Sequence, residues 1–176
     1  MNEFIRACEA GDIETAKRLL PSIDPSFDYN DAIQMASANG HVEVVRLLLA
    51  DNRVDPTDDD NWPIRYASMN GHVEVVRLLL ADSKVDPSDD DNFVIRWATH
   101  NNHKEVVRLL LADTRVDPAD EDNFAIQLAS DNGHVEIVKL LLQDPRVDAS
   151  KAKSSNPEIK ELLAQWKYHP CRDSGL

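Results

Sequence analysis

NGHVEVVRLLLAD, from Asn70 to Asp82, stands again letter for letter from Asn39 to Asp51. It recurs as NNHKEVVRLLLAD from Asn101 to Asp113 and as NGHVEIVKLLLQD from Asn132 to Asp144. His41, His72, His103 and His134 mark a constant spacing of 31 residues, and a period in this range denotes a stack of repeated supersecondary units. Between Val73 and Ala81 only Glu74 and Arg77 are charged, so a helix here is apolar on nearly every side and has to be covered on both flanks. At about nine residues it is also too short to hold helical form alone in water. Its cover is the same element one period earlier and one later. Glu74 and Arg77, three apart, share one face and mark the single solvated stripe.

Outward from this element, each full unit opens with Asp-Pro (Asp24-Pro25, Asp55-Pro56, Asp86-Pro87, Asp117-Pro118), a pair that disfavours helix before the proline. This sets four units at 24–54, 55–85, 86–116 and 117–147. A short first helix is expected from about Pro63 to Met69, with equivalents at Val94–His100 and Ala125–Asp131. Asn30, Asn61, Asn92 and Asn123 stand where an N-cap is wanted, and Pro63 falls in a first turn, where its missing N–H costs nothing. Ala36, Ala67, Ala98 and Ala129 are small enough for adjacent first helices to approach closely. Gly40, Gly71 and Gly133 occupy the turn before the second helix, with Asn102 as the exception that tolerates the same left-handed backbone. At the N-terminus, FIRACEAGDIETAKRLL reads as a helix pair with Gly11 ending the first helix, Asp12 capping the second and Pro21 stopping it. After Asp148 the period fails, and a helix starting at Ser155 or Asn156 carries Ile159, Leu162, Leu163 and Trp166 to close the stack. The expected organisation is one domain over 1–167, with caps at 1–23 and 148–167, and a disordered tail over 168–176.

Composition limits the function. The chain has 176 residues and net charge −13; the four full units carry −3, −3, −2 and −5, and residues 148–176 carry +1. An acidic surface repels phosphate backbones, so nucleic acid is not an expected partner, whereas a protein with a basic surface is. Cys8 and Cys171 lie at opposite ends of an elongated stack, which argues against a disulfide and for a reducing, cytoplasmic setting. No apolar run approaches the length of a membrane span, and MNEFIRACEAGD lacks the layout of a signal peptide. A monomer without membrane contact is expected.

GHVEVVRLLL resembles the turn and second helix of the ankyrin repeat family, and RACEAGDIETAKRLL resembles that family's N-terminal cap. The resemblance spans roughly 1–166 and implies an all-α solenoid of L-shaped helix pairs, with a concave surface formed by loops and first helices. Two features depart from the family. The period is 31 rather than 33, and the family's Thr-Pro-Leu-His becomes Asp31-Ala32-Ile33-Gln34, Trp62-Pro63-Ile64-Arg65, Phe93-Val94-Ile95-Arg96 and Phe124-Ala125-Ile126-Gln127.

Recognition in a repeat array resides where side chains vary on a constant frame. Those positions are Tyr66, Met69, Trp97 and His100, matched by Met35, Leu128 and Asp131 in other units. The periodic aromatics Trp62, Phe93 and Phe124 are either anchors for a partner or packing between repeats. The acidic runs Asp58-Asp59-Asp60, Asp89-Asp90-Asp91 and Asp120-Glu121-Asp122 suit helix N-termini, and stacked together they form a ridge, in which Asp59, Asp90 and Glu121 are candidates for steering a basic partner. Calcium is not expected, because the loops lack alternating ligands with a glycine and a distal glutamate. The four periodic histidines resemble the family's structural histidine, and a helix break between His100 and His103 argues against zinc. No Gly-rich phosphate loop or activated nucleophile occurs, so neither cofactor nor catalysis is expected. The function expected is a non-catalytic protein-interaction module; the alternative is a passive scaffold, or a recently duplicated or consensus array without a dedicated partner.

Overall fold

A computed structural model describes residues 2–167. Cys171 and the tail expected over 168–176 lie outside the described residues. The elements in order are α1 (Glu3–Ala10), α2 (Ile13–Leu19), α3 (Phe27–Ala38), α4 (Val42–Leu49), α5 (Asp58–Met69) and α6 (Val73–Leu80). They continue as α7 (Asp89–His100), α8 (Lys104–Leu111), α9 (Asp120–Asp131), α10 (Val135–Leu141) and α11 (Pro157–Lys167), with single 3₁₀ turns at Leu20–Ser22 and Ala149–Lys151. Among the described residues there is no strand. The odd-numbered helices pack in the row α1, α3, α5, α7, α9, and the even-numbered ones in a parallel row from α2 to α10, which ends on α11. Where a fifth first helix would stand there is only the 3₁₀ turn, and Asn156 caps α11 by accepting from the Glu158 N–H at 2.9 Å.

The core is one periodic column. Leu48, Leu79, Leu110 and Leu141 from the second helices are fully buried, as are Ile33, Ile64, Ile95 and Ile126 from the first. Ala36, Ala67, Ala98 and Ala129 are fully buried too, as the close approach of first helices requires. Glu74 and Arg77 pair at 3.4 Å on the exposed stripe, a contact that contributes about 0.3–0.5 kcal/mol.

The expected starts of the first helices hold, but for a different reason. In α3, α5, α7 and α9 the first residue is followed by three consecutive residues in the left-handed conformation: Asp28-Tyr29-Asn30, Asp59-Asp60-Asn61, Asp90-Asp91-Asn92 and Glu121-Asp122-Asn123, with φ between 50 and 67°. Right-handed helix follows only after each asparagine. Left-handed backbone is costly for most L-residues and least so for Asn and Asp, whose short polar side chains bond locally. The acidic runs therefore have a backbone cause besides solubility.

The asparagines do not act as N-caps, which corrects the sequence-based expectation. Each is buried and reaches into the next unit: Asn30 Nδ2 donates to Asp58 Oδ2, Asn61 Nδ2 to Asp89 Oδ2 (both 2.9 Å) and Asn92 Nδ2 to Asp120 Oδ2 (2.6 Å). The amide oxygens of Asn30, Asn92 and Asn123 accept from the backbone N–H of Asp55, Asp117 and Asp148. The left-handed turn aims the side chain sideways along the stack, away from its own helix. Residues at the place of the family's histidine close the turn instead: Gln34 donates to the Tyr29 carbonyl, Arg65 to Asp60, Arg96 to Asp90 and Gln127 to Asp122.

Two further ladders join the units. His41, His72, His103 and His134 donate through Nε2 to the carbonyls of Glu9, Ala38, Met69 and His100 at 2.8–3.0 Å, the structural role expected of them. The imidazole lies against the glycine of the preceding turn: a Cβ on Gly11 would stand 2.6 Å from His41 Nδ1, so that turn needs glycine for space as well as for φ of +73°. On the opposite edge, Arg53, Arg115 and Arg146 each grip the aspartate two residues earlier with a two-pronged guanidinium bond, and donate to the carbonyls of Ile23, Val85 and Val116 respectively. Lys84 replaces the arginine in the second full unit, and its ammonium makes no hydrogen bond or ion pair among the described residues. Lysine lacks the planar fork. Lys84→Arg is expected to raise stability by about 1 kcal/mol, read as a higher urea midpoint; an unchanged midpoint would show that the fork contributes nothing net.

Candidate protein-interaction surface

The candidate residues lie on α5, α7 and α9, and the structure distributes them unequally. Trp62 and Tyr66, one turn apart on α5, stack on each other with ring centroids 3.7 Å apart and are both half-buried. Phe93 is covered by the Arg65 guanidinium, centred 4.0 Å above its ring. Arg65 also binds Asp90 at 3.0 Å, so Trp62, Tyr66 and Phe93 are packed into the surface by neighbours of their own chain. Farther along, Trp97 touches Phe93 and meets His100 edge-on, each at 5.5 Å. Trp97 is 38% exposed and Phe124 37%. Together with Arg96, His100 and Leu128 they line a groove of ≈ 280 Å³ between α7 and α9.

Of the remaining candidates, Met69 is half-buried and presents its carbonyl to Asn101 and His103, while Asp131 is exposed at the end of α9. Asp59, Asp90 and Glu121 are exposed at equivalent places in successive left-handed turns. Asp90 is linked to the aromatic residues through Arg65, which binds its carboxylate and covers Phe93. Sequence reasoning missed Arg65 as the residue that covers Phe93, and it missed Phe27 and Tyr29, which are the most exposed large apolar side chains described. The signal was available: positions 27 and 29 align with aspartates in every later unit.

Carboxylates that hold turns and forks are shifted downward. Asp51 falls to about 2, chiefly through the hydrogen bond from the Arg53 side chain. Asp24 and Asp86 are lowered first by the hydroxyls of Ser26 and Ser88, Asp55 by the Thr57 N–H and Asp113 by Arg115. Asp31 moves the other way, raised first by burial and then by Asp28 and Glu9. For the lowered groups the unfolded chain binds more protons, so their stabilisation is complete above about pH 4 and is lost as pH falls toward about 2. Tm is expected to drop across that window, and less steeply in Arg53→Gln; a flat Tm there would contradict the assignment. Cys8 is buried and its thiol is pushed up to about 12 by desolvation, which leaves it unreactive.

Among the described residues no group of three or more His, Cys, Asp or Glu side chains is arranged to hold a metal, and no helix is long and apolar enough to cross a membrane. The family model described as ankyrin repeats (3 copies) matches residues 4–91 and 83–153. The chain belongs to the ankyrin repeat family. Among solved structures, that of the human ASB11 ankyrin repeat domain superimposes with a TM-score of 0.79 at 20% identity, over 96% of this chain and 85% of that one. A search of curated proteins finds no match. The all-α solenoid expected from the sequence is the observed fold, with the helix pairs α3/α4, α5/α6, α7/α8 and α9/α10 recurring every 31 residues. Ankyrin repeats are in general non-enzymatic protein–protein interaction modules.

Proposed function

We propose that this ankyrin array holds a partner protein on its concave face, with the groove between α7 and α9 as the principal anchor site. The observation that carries the reading is the convergence of Trp97, His100, Phe124 and Leu128 on one open groove, while the equivalent ring of Trp62 is stacked internally. Exposed, preorganised aromatic side chains are favoured anchors, because little freedom remains for them to lose on binding. Asp59, Asp90 and Glu121 form the acidic rim, with Asp131 at the far end; Trp62, Tyr66 and Met69 support the groove from the preceding unit, and Phe93 does so from the start of α7. A rim of this sign raises the association rate of a basic partner. The array works as one unit over residues 1–167, as a monomer, in a reducing cytoplasmic setting consistent with the buried free thiol of Cys8.

The test is affinity capture with the natural chain and with Trp97→Ala/His100→Ala/Leu128→Ala, after circular dichroism confirms that both are folded. The expected result is a partner held by the first and weakened about tenfold or more in the second. Equal capture by both chains would reject the groove. With the partner in hand, added salt is expected to slow association more than it alters dissociation.

A further inference from the structure

We propose that Phe27 and Tyr29, on the first left-handed turn, form a second recognition site, separate from the groove, for a basic extended segment of a partner protein. The two rings are 59% and 71% exposed. Neither stacks on another ring, and the Tyr29 hydroxyl bonds nothing among the described residues. The corresponding positions of the later units are Asp58 and Asp60, Asp89 and Asp91, Asp120 and Asp122. The first unit alone replaces both carboxylates with aromatic side chains.

The replacement is not explained by folding. Tyr29 sits at φ 55°, a backbone that Asp and Asn tolerate better than an aromatic residue does. Its ring gains no burial in return. A residue that is unfavourable for its backbone and also exposed points to a role outside the fold. The surroundings specify the occupant. Residues 24–31 carry three carboxylates and no cation, and residues 55–60 of the neighbouring tip carry four and no cation. The two tips are tied together where Asn30 binds Asp58 at 2.9 Å, so the two acidic sets lie on adjacent tips, with Arg53 acting on Asp24 and Lys84 on Asp55 as the cations nearby. The Asp31 pKa is raised first by burial and then by the neighbouring charges of Asp28 and Glu9. Open aromatic faces ringed by carboxylates suit Lys or Arg side chains, which stack on the rings and pair with the rim.

The substitution Phe27→Asp/Tyr29→Asp tests this, because it gives the first unit the residues that its siblings already fold with. It adds negative charge while removing the rings, so electrostatic attraction alone and aromatic anchoring predict opposite changes. The probe is a phage-displayed library of random dodecapeptides selected on the natural chain, with enriched peptides remade and titrated by fluorescence anisotropy. The expected result is an enriched family that pairs Lys or Arg with an apolar residue. It should lose about tenfold or more in affinity for Phe27→Asp/Tyr29→Asp while binding Trp97→Ala/Phe124→Ala as before. In the same variant Tm is expected to be unchanged or higher, since the turn receives a residue better suited to it. The proposal is overturned if every enriched family binds the aspartate variant as well as or better than the natural chain, or if no basic family is enriched.

Discussion

Asn92→Val is expected to lower stability by about 3–5 kcal/mol and to split one unfolding transition into two. Asn92 is buried, donates to Asp120 Oδ2 at 2.6 Å and accepts from the Asp117 N–H at 2.8 Å. Both partners belong to the next unit. Valine removes both bonds, leaves that N–H and that carboxylate without their partner, and places a β-branched residue at φ 56°, where its side chain is strained. In a linear array each unit is stabilised mainly by its neighbours, so a lesion at one boundary uncouples what lies on either side. The segment α9–α11 should therefore unfold at lower urea than α1–α8, seen as amide exchange that becomes fast first in α9 to α11. Asn92→Gly separates the two causes: it keeps the backbone and loses the bonds, and should fall between the natural chain and the valine variant. A single transition shifted by less than about 1 kcal/mol in Asn92→Val would show that the asparagine ladder does not couple the units.

The second large effect is a gain. Ser37, Ser68, Thr99 and Ser130 are buried at matching places near the ends of α3, α5, α7 and α9, and none of their hydroxyls has a hydrogen-bond partner among the described residues. A hydroxyl removed from water without a replacement bond is destabilising, and serine is also a poorer helix former than alanine. The combined variant Ser37→Ala/Ser68→Ala/Thr99→Val/Ser130→Ala is expected to be more stable by about 2–4 kcal/mol, with valine chosen to keep the volume of Thr99. The four sites sit in different units, so their contributions should nearly add. Urea unfolding of the four single variants and the combination measures this. Loss of stability in the combination would mean that the hydroxyls bond the helix backbone or internal water.

Both expectations concern contacts between units, and that is where reading the sequence was least informative. The second helices were legible because VEVVRLLL carries its own instruction: one charged pair three apart and apolar residues elsewhere, which forces burial on both flanks. Gly11, Gly40 and Gly71 were legible as left-handed turns for the same local reason, and Asn102, with φ of 62°, takes the left-handed backbone expected of it. The histidines were assigned correctly to structure, since one per unit at a helix start leaves little else for them to do. Asn61 and Asn92 were misread as N-caps because an asparagine before a helix has that local meaning. Their actual partners lie 28 residues away.

The candidate site divides in the same way. Trp62, Phe93 and Phe124 are equivalent by register, and only the residue one turn along (Tyr66, Trp97, Leu128) distinguishes them locally. Exposure separates them only once the neighbours are in place: Trp62 has Tyr66 stacked on it, Phe93 has the Arg65 guanidinium above it, and Phe124 borders the groove with Trp97. By itself, then, the sequence determined the period, the helix pairs, the sharp turns and the acidic charge, because each follows from the intrinsic preferences of a few adjacent residues. The tertiary structure alone decided the left-handed acidic turns, the asparagine and arginine ladders, and which aromatic side chains remain open to a partner. The asparagine bonds, the arginine bonds to the carbonyls of the preceding unit and the Arg65 cover on Phe93 depend on atoms about one repeat away, brought together by stacking, and no short window of sequence contains both sides of such a contact.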